Sequence, residues 1–292
     1  MSREESDTAL TEQRGRLAAL LRRLREATGL RQGDFGARIG MNQSKVSRIE
    51  LGKQIPSRDE TDAWADAADA ADAAREQIAD RLAAALTEAS SHADDLAGGF
   101  TAKQARLALS EQSVSVVRSY ALNVPGLLQT AEYARRLIAM QAPLHGGMFG
   151  DLAAAVAAWM DRQQALYTGK GRYDFLIPEA ALRWRPGADA AVMLAAQLHH
   201  IATLSTLPRV HVAVLPWDAD ASVCVPHDFT ILGDPGVDDD VEVAIYTTTR
   251  ALRVRDPDEV ATYLDVWNRL AADAIGDDQA RAFLTTLASQ FM

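Results

Sequence analysis

The sequence predicts an α+β protein of two domains, in which a small all-α domain of five helices precedes a larger domain with a mainly antiparallel sheet flanked by helices. The chain has 292 residues, of which 48% are hydrophobic, and this is enough for two separate cores. Short segments with helical apolar spacing fill the chain up to about residue 72, whereas extended segments rich in β-branched residues begin after residue 105. We therefore place the first domain at 13–75, a helical connector at 76–104 and the second domain at 105–292.

The first domain is predicted from apolar spacing and from glycine and proline breaks. Its first helix carries leucines at the i, i+3, i+4 and i+7 positions of one buried stripe: Leu17, Leu20, Leu21 and Leu24. Breaks at Gly29, Gly40, Gly52 and Pro56 separate the short helices that follow. The stretch 59–97 consists largely of alanine and acidic residues. Its helix propensity predicts that the last helix continues into the connector, with a disordered linker as the alternative.

The second domain combines helical and extended segments. Runs of β-branched or aromatic residues bounded by turn residues predict strands at 172–177, 210–215, 228–232, 241–247 and 251–254, and 114–121 is a further extended candidate. Helical spacing predicts helices at 125–139, 151–167, 188–204, 257–274 and 277–291. Helices and strands interspersed in this way favour the α+β class.

Charge is distributed unevenly along the chain. The formal net charge is −10, but residues 14–53 contain ten Lys or Arg residues and only three acidic residues. A basic N-terminal module on an acidic body is typical of a DNA-binding protein whose second domain has another task. Cys224 is the only cysteine, which excludes an intrachain disulfide, and no apolar run approaches the roughly 20 residues of a membrane span. We therefore expect a cytoplasmic protein without a membrane partner.

The segment from Gln32 to Leu51 has the parts of a helix-turn-helix. Phe35 and Ile39 give the first helix an apolar pair, and Gly36 lies between them where two helices must approach closely. Gly40 supplies the left-handed residue that ends this helix and begins the turn. Asn42 has a side-chain oxygen that caps the next helix. Together these residues predict a short, sharply turned pair of helices.

The second helix of this pair has two distinct faces. Val46 and Ile49 are three residues apart and face inward, so the opposite face is left for DNA. Amide and guanidinium groups make paired hydrogen bonds to adenine and guanine, so Gln43 and Arg48 are the strongest candidates for reading bases. The residues assigned to base reading are Gln43, Ser44, Ser47 and Arg48. The residues assigned to phosphate or flanking contacts are Gln32, Lys45 and Lys53.

This segment resembles the xenobiotic-response-element regulators, relatives of the lambda and 434 phage repressors. The matching residues follow the pattern of that family in order: Gln32, Phe35, Gly36, Ile39, Gly40, Gln43, Val46, Ser47, Ile49, Glu50, Gly52 and Lys53. Arg31 departs from it, since a Ser or Thr cap is usual there, and Gly33 adds a second glycine to a short helix. The resemblance implies a sequence-specific regulator that binds a near-palindromic double-stranded DNA operator as a homodimer.

The second domain has recognisable segments of its own. The longest is Arg118-Ser-Tyr-Ala-Leu-Asn-Val-Pro-Gly-Leu-Leu-Gln-Thr-Ala-Glu-Tyr-Ala-Arg, and Pro178-Glu-Ala-Ala-Leu-Arg and Phe229-Thr-Ile-Leu follow it. In these segments the chain resembles the domain of unknown function 5753 type, which follows such helix-turn-helix modules in actinomycete regulators. The resemblance implies the antitoxin-like member of a gene pair, acting with a small partner protein in the control of development. A second domain that senses a small molecule is the alternative.

Several side chains of the second domain are candidates for binding. A turn that leads into an amphipathic helix predicts a ligand or partner groove beside Gln129, Thr130 and Tyr133. Glu179 and Arg183, one helical turn apart, either contribute to this groove or form a surface ion pair. These five residues are the candidates for the binding of an effector or a partner.

The sequence gives little support to enzyme chemistry. His199 and His200 are helix neighbours that point about 100° apart, so they cannot share a metal ion. Cys224 and His227 lack the further ligands that a structural zinc site needs. The sequence contains no Gly-rich phosphate loop, nucleophile elbow or His-Glu-x-x-His string. We therefore expect no enzyme activity, no metal and no cofactor.

Overall fold

The computed structural model describes residues 3–91, 96, 98–145 and 149–292. The chain divides into two units. The first comprises the residues up to Ala89 together with Leu252–Glu259, and the second comprises Ser90–Ala251 and Val260–Met292. Within the described ranges, no helix combines the length and apolar character that crossing a membrane requires.

The first unit is helical from Arg3 to Leu86. Its five helices are α1 (Arg3–Ala27), α2 (Gln32–Arg38), α3 (Gln43–Glu50), α4 (Arg58–Ala67) and α5 (Asp72–Leu86). A short strand, β1 (Thr87–Ser91), follows them. The predicted all-α domain of five helices is confirmed.

One apolar core holds these five helices together. Leu17 and Leu21 of α1, Phe35 of α2 and Val46 of α3 are all buried in it. Trp64 of α4 is completely buried, with its ring centroid 5.0 Å from that of Phe35. Its indole N–H donates to the carbonyl of Leu21 at 3.0 Å. Burial of side chains of this size stabilises a fold by about 1.5–3 kcal/mol each, so the core fixes the orientation of α3.

The alanine-rich stretch after residue 59 forms two helices rather than one. Asp69 has a φ of 46°, in the left-handed region, and this residue lies in the break between α4 and α5. α5 then packs against α1 and buries Ile78, Leu82 and Leu86 in the same core. Residues 76–86 therefore belong to the core of the first unit, where the sequence predicted a connector.

Capping residues define the beginnings of α3 and α4. Asn42 Oδ1 accepts a hydrogen bond from the backbone N–H of Lys45 at 2.8 Å, as the sequence predicted. Ser57 and Glu60 form a reciprocal capping box at the start of α4. Arg31, which precedes α2, makes no side-chain cap within the described residues. α2 therefore lacks a stabilisation that is typically about 1 kcal/mol.

The chain returns to the first unit at Leu252–Glu259. There the backbone N–H of Arg255 donates to the carbonyl of Leu86 at 2.7 Å. Asp256 accepts a hydrogen bond from Nη2 of Arg58 at 2.8 Å, and this guanidinium lowers the pKa of the Asp256 carboxyl. The returning segment is thus attached to the first turn of α4 and to the end of α5.

The remaining elements alternate between helices and strands. The helices are α6 (Phe100–Gln112), α7 (Ala131–Gln141), α8 (Leu152–Arg162), α9 (Ala165–Thr168), α10 (Glu179–Arg183), α11 (Ala191–Leu204), α12 (Pro257–Ala272) and α13 (Asp277–Ser289). The strands are β2 (Val116–Tyr120), β3 (Arg172–Pro178), β4 (Val210–Leu215), β5 (Phe229–Leu232), β6 (Glu242–Tyr246), β7 (Arg250–Val254) and β8 (Ile275–Gly276). Short 3-10 helices cover Gly126–Leu128 and Ala142–His145. Each of two predicted helices is broken in two. The predicted helix at 125–139 consists of a 3-10 turn followed by α7, and the predicted helix at 151–167 consists of α8 followed by the separate short helix α9.

Six strands of the second unit pair in the order β6-β5-β2-β3-β4-β8. β2, β3 and β4 are parallel to one another, whereas β5, β6 and β8 are antiparallel to their neighbours. Helical crossovers between successive strands make the centre of the sheet parallel. The α+β class with a helix-flanked sheet is confirmed, and the sheet is mixed.

Strand β3 runs through the centre of the second core. Its side chains Tyr173, Phe175 and Ile177 alternate along the strand and are buried with Leu198 of α11 and Leu284 of α13. Because β2, β3 and β4 run in the same direction, their carboxyl ends meet at one edge of the sheet. The residues that follow these strands are therefore brought close together.

Candidate nucleic-acid interface

Close contact between α2 and α3 sets the position of the recognition helix, α3. A Cβ atom on Gly36 would lie 2.6 Å from the carbonyl oxygen of Met41 and 3.1 Å from Cγ2 of Val46. Gly40 has a φ of 71°, which glycine adopts without a steric penalty. The turn therefore requires both glycines, in agreement with the sequence-based interpretation.

The face of α3 opposite the core is open to solvent. Val46 and Ile49 are buried, as predicted, and Ser47 is half-buried. The exposed side chains of α3 and the residues after it include those of Gln43, Ser44, Arg48, Leu51 and Lys53. Three of the four predicted base-reading side chains thus lie exposed on this face, and the hydroxyl of Ser47 is less accessible.

Arg48 is bonded to the turn that follows α3. Gly52 has a φ of 68°, which reverses the chain. The backbone N–H groups of Lys53 and Gln54 then donate to the carbonyl of Arg48 at 2.9 and 3.3 Å. The side chain of Gln54 also reaches back, and its Oε1 accepts from Nε of Arg48 at 3.1 Å. Sequence reasoning did not identify Gln54, because this contact depends on the path of the turn.

Gln32 is hydrogen-bonded to a buried ion pair. Arg25 donates through Nε and Nη2 to the carboxylate of Glu50 at 2.5 and 3.1 Å, and both residues are buried. Nε2 of Gln32 donates to the same carboxylate at 2.7 Å. Since a primary amide has two N–H groups, the second one can still donate to a phosphate. Sequence reasoning missed this anchoring role of Arg25 and Glu50, which lie 25 residues apart.

The two predicted phosphate-binding lysines differ in their surroundings. Nζ of Lys45 is bonded to Glu60, the carboxylate of the α4 capping box, and both side chains are partly buried. Lys53, in contrast, is exposed just beyond α3. A phosphate contact by Lys45 would require this ion pair to break, whereas the side chain of Lys53 is exposed to solvent.

The groove predicted beside Gln129, Thr130 and Tyr133 is filled by the side chains that were expected to line it. Gln129 is 3% exposed, and its Nε2 donates to the carbonyl of Val124 at 2.7 Å. Tyr133 is completely buried, and burial raises its pKa to about 12. The hydroxyl of Thr130 caps α7 by accepting from the backbone N–H of Tyr133. The side chains of Gln129 and Tyr133 thus do not line an open groove.

Two further glutamines fasten the same loop. Nε2 of Gln163 donates to the carbonyl of Gln129 at 2.6 Å. Gln197, which is completely buried in α11, donates to the carbonyl of Leu128 at 2.6 Å and accepts from the backbone N–H of Thr130 at 2.7 Å. The loop is therefore held by amide side chains from α11 and from the residue that follows α8.

Glu179 and Arg183 form an ion pair, one of the two predicted alternatives. Nε of Arg183 lies 2.6 Å from Oε1 of Glu179. The second carboxylate oxygen accepts from the backbone N–H of Trp217 at 3.0 Å, and Glu179 itself is buried. Arg183 also donates to Gln290 at 3.0 Å. The pair therefore joins α10 to the residues that follow β4.

Two histidines of α11 and the cysteine of the second unit were considered as metal ligands in the sequence. Nδ1 of His199 lies 2.9 Å from the carbonyl of Ala195, and burial lowers the pKa of His200. Cys224 is a free, exposed thiol. Across the described ranges, no group of three or more His, Cys, Asp or Glu side chains is arranged to hold a metal ion.

Comparison with known families agrees with this division of the chain. Residues 16–78 match the model of a helix-turn-helix domain, so the protein is of the helix-turn-helix, regulator-like class. Residues 104–286, more than half of the chain, match the model of the domain of unknown function DUF5753. The chain therefore belongs to the DUF5753 family. No match was found among curated proteins or among solved structures.

Proposed function

We propose that the protein is a sequence-specific transcriptional regulator that binds a near-palindromic double-stranded operator as a homodimer. The observation that carries this proposal is the exposed face of α3. This helix is capped by Asn42 and anchored in the core by Val46 and Ile49, and it presents Gln43 and Arg48 to solvent. An amide and a guanidinium on one accessible helix face suit the paired hydrogen-bonding groups of adenine and guanine in the major groove.

The distribution of charge supports contact with the DNA backbone. Residues 14–53 contain ten Lys or Arg residues and three acidic residues in a chain whose formal net charge is −10. Lys53 is exposed, and Gln32 lies at the N-terminus of α2, where free backbone N–H groups favour a phosphate. We expect the affinity for DNA to fall steeply as the salt concentration rises.

Selection from a random-sequence DNA duplex library tests this proposal. The expected result is a consensus of two inverted half-sites whose centres lie about 34 Å apart, one helical turn of DNA. Sedimentation of the complex is expected to give two chains per duplex. A library that binds without enrichment of any sequence contradicts the specificity, and one chain per duplex contradicts the homodimer.

For the second unit, we propose an antitoxin-like role in which it binds a small partner protein. Support comes from the side chains of Leu122, Trp184 and Trp217, which are 40%, 38% and 72% exposed. Leu122 and Trp217 come two residues after the parallel strands β2 and β4, and Trp184 follows α10, the short helix after β3. Exposed aromatic and aliphatic side chains at one edge are typical of an interaction surface. Asp218 and Asp220 lie one and three residues after Trp217, so a partner with basic side chains fits this surface.

A small-molecule sensor is the second candidate for this unit. The hydroxyls of Tyr133 and Tyr173 and the Oε1 atom of Gln129 are buried, and within the described residues they have no hydrogen-bond partner. An unpaired buried polar group costs about 1–3 kcal/mol, which a bound polar molecule would offset. Because Gln129 and Tyr133 fill the predicted groove, such a molecule would have to displace packed side chains to reach them. Neither candidate includes a catalytic step or a cofactor.

Native mass spectrometry distinguishes these two roles. When the protein is co-expressed with the product of the adjoining reading frame, we expect a complex that Trp217→Ala disrupts. Tyr167→Ala is the matched control, because Tyr167 is an aromatic side chain that is 57% exposed elsewhere in the second unit. A small molecule released on denaturation, without any protein complex, would instead support the sensor.

A further inference from the structure

We propose that Gln54 is a positioning residue that holds the guanidinium of Arg48 for the recognition of guanine. This inference rests on the proposed function, in which α3 lies in the major groove. Gln54 follows α3 in the chain and is not among the residues of α3 that were assigned to base reading. Gln54 is half-buried, whereas Arg48 is exposed.

The backbone after α3 places Gln54 next to Arg48. Gly52 donates to the carbonyl of Ile49 at 3.0 Å and has a φ of 68°. The N–H groups of Lys53 and Gln54 then share the carbonyl of Arg48 as acceptor. The position of residue 54 is therefore fixed by the same helix end that carries the arginine, before any DNA is bound.

The side-chain contact determines which donors of Arg48 remain. Gln54 Oε1 accepts from Nε of Arg48 at 3.1 Å. A guanidinium has five N–H donors in a planar fork, and the four others are on the two terminal nitrogens. The contact with Gln54 thus leaves the two terminal nitrogens to point away from Gln54 as a pair of parallel donors.

A pair of parallel donors distinguishes guanine from the other bases. Guanine presents two acceptors, N7 and O6, at its major-groove edge, whereas adenine presents one acceptor and one donor. Arg48 held in this way therefore donates to both guanine atoms with its terminal nitrogens. Because the side chain is already oriented, less rotamer entropy is lost when DNA binds. Gln54 thus contributes to specificity through Arg48.

The test uses the full chain with four substitutions and a random-sequence duplex library as the probe. Gln54→Ala removes the acceptor, and Gln54→Glu keeps an acceptor at nearly the same position. The matched control is Gln77→Ala, because Gln77 is an exposed glutamine of α5 in the same unit. Arg48→Ala first identifies the operator position that depends on the arginine.

We expect guanine at the position that depends on Arg48. Gln54→Ala is expected to lower the preference for guanine there by about 3- to 10-fold, with other positions and the salt dependence unchanged. Gln54→Glu is expected to retain the preference while weakening binding to all DNA, since a carboxylate repels phosphates. Gln77→Ala is expected to change nothing.

A second measurement does not depend on the folding of any variant. Replacing the guanine of the selected site by 7-deazaguanine removes the N7 acceptor, and the unaltered protein is expected to lose about 5-fold or more in affinity. An unchanged affinity would overturn the assignment of the two terminal nitrogens to guanine.

The outcomes separate this inference from the function on which it rests. If the unaltered protein enriches no sequence, both are wrong. If a consensus with an Arg48-dependent guanine appears but Gln54→Ala leaves it intact, only the positioning role is wrong. If Gln54→Ala instead relaxes a different position, Gln54 reads a base itself, and this also overturns the positioning role.

Discussion

Glutamine side chains have opposite surroundings in the two units. Gln43 is exposed at the first position of α3, whereas Gln197 is completely buried in α11 and bonds a carbonyl and an N–H of the loop before α7. The side-chain amide of Gln43 is therefore free to contact a DNA base, whereas the amide of Gln197 is already hydrogen-bonded to the backbone. Burial, rather than residue type, determines whether an amide recognises a ligand or holds a loop.

The largest expected effect is a loss of stability when the buried glutamine, Gln197, is replaced. Gln197→Ala leaves the carbonyl of Leu128 and the N–H of Thr130 unpaired and opens a cavity, so we expect a loss of about 3 kcal/mol in the free energy of unfolding. Urea unfolding followed by circular dichroism measures this loss. Gln112→Ala, which truncates an exposed glutamine at the end of α6, is the control and is expected to cost less than about 0.5 kcal/mol. Equal losses in both variants would contradict the role of Gln197.

A smaller effect, on DNA binding, is expected when an exposed side chain of α3 is replaced. Arg48→Ala should weaken binding to the selected operator by about 1–3 kcal/mol and relax the preference at one base pair, because the guanidinium is the strongest base-reading group on α3. Fluorescence anisotropy with the selected duplex and with single-base variants measures both. The free energy of unfolding should stay unchanged, since the side chain is exposed. If Arg48→Ala binds the selected operator as tightly as the unaltered protein does, Arg48 does not read a base.

Lys53 allows a test of backbone contact without base reading. Lys53→Ala should weaken binding to all DNA sequences alike and reduce the slope of log K against log salt by about one unit, because one phosphate contact is lost. Lys45→Ala is the matched comparison, since Lys45 is already paired with Glu60. We expect it to change the salt slope less than Lys53→Ala does. A change confined to the selected operator would show that Lys53 reads a base.

The smallest expected effect is a pH dependence in the second unit. Burial lowers the pKa of His200 from its ordinary value of 6.5, so the unfolded chain binds a proton more readily than the folded one. Stability should therefore fall as the pH decreases below 6.5. His200→Asn should reduce this dependence by less than about 1 kcal/mol between pH 7.5 and 5.5, measured by urea unfolding. The exposed neighbour gives the control variant, His199→Asn, and an equal change in that variant would argue against burial as the cause.

Sequence reasoning succeeded where the signals are local. The glycine at position 40, the cap at Asn42 and the apolar pair Val46 and Ile49 act within a few residues of one another, so their spacing alone predicts the turn and the recognition helix. Most strands of the second unit were also predicted, because β-branched runs are local signals, but the two-residue strand β8 was not. The directions of the strands in the sheet follow from tertiary packing, which no local run encodes.

The sequence-based prediction was wrong where amino-acid composition gives no information on packing. Alanine favours a helix equally in a connector and in a core, so the stretch after residue 59 did not reveal that α5 is packed against α1. Ile78 and Leu82, four residues apart, were the signal that could have revealed it. The contacts of Gln32 with Glu50 and of Arg48 with Gln54 could not be predicted, because each needs the folded path of the chain.

The return of the chain at Leu252–Glu259 has a consequence for synthesis on the ribosome. The bond between Arg58 and Asp256 joins residues that are 198 positions apart. The helices α1–α5 leave the ribosome early, but this bond can form only after most of the second unit has been translated. A nascent or prematurely terminated chain that ends before residue 252 therefore lacks the segment that completes the first unit. The first unit is thus complete only in chains that have been translated past residue 259.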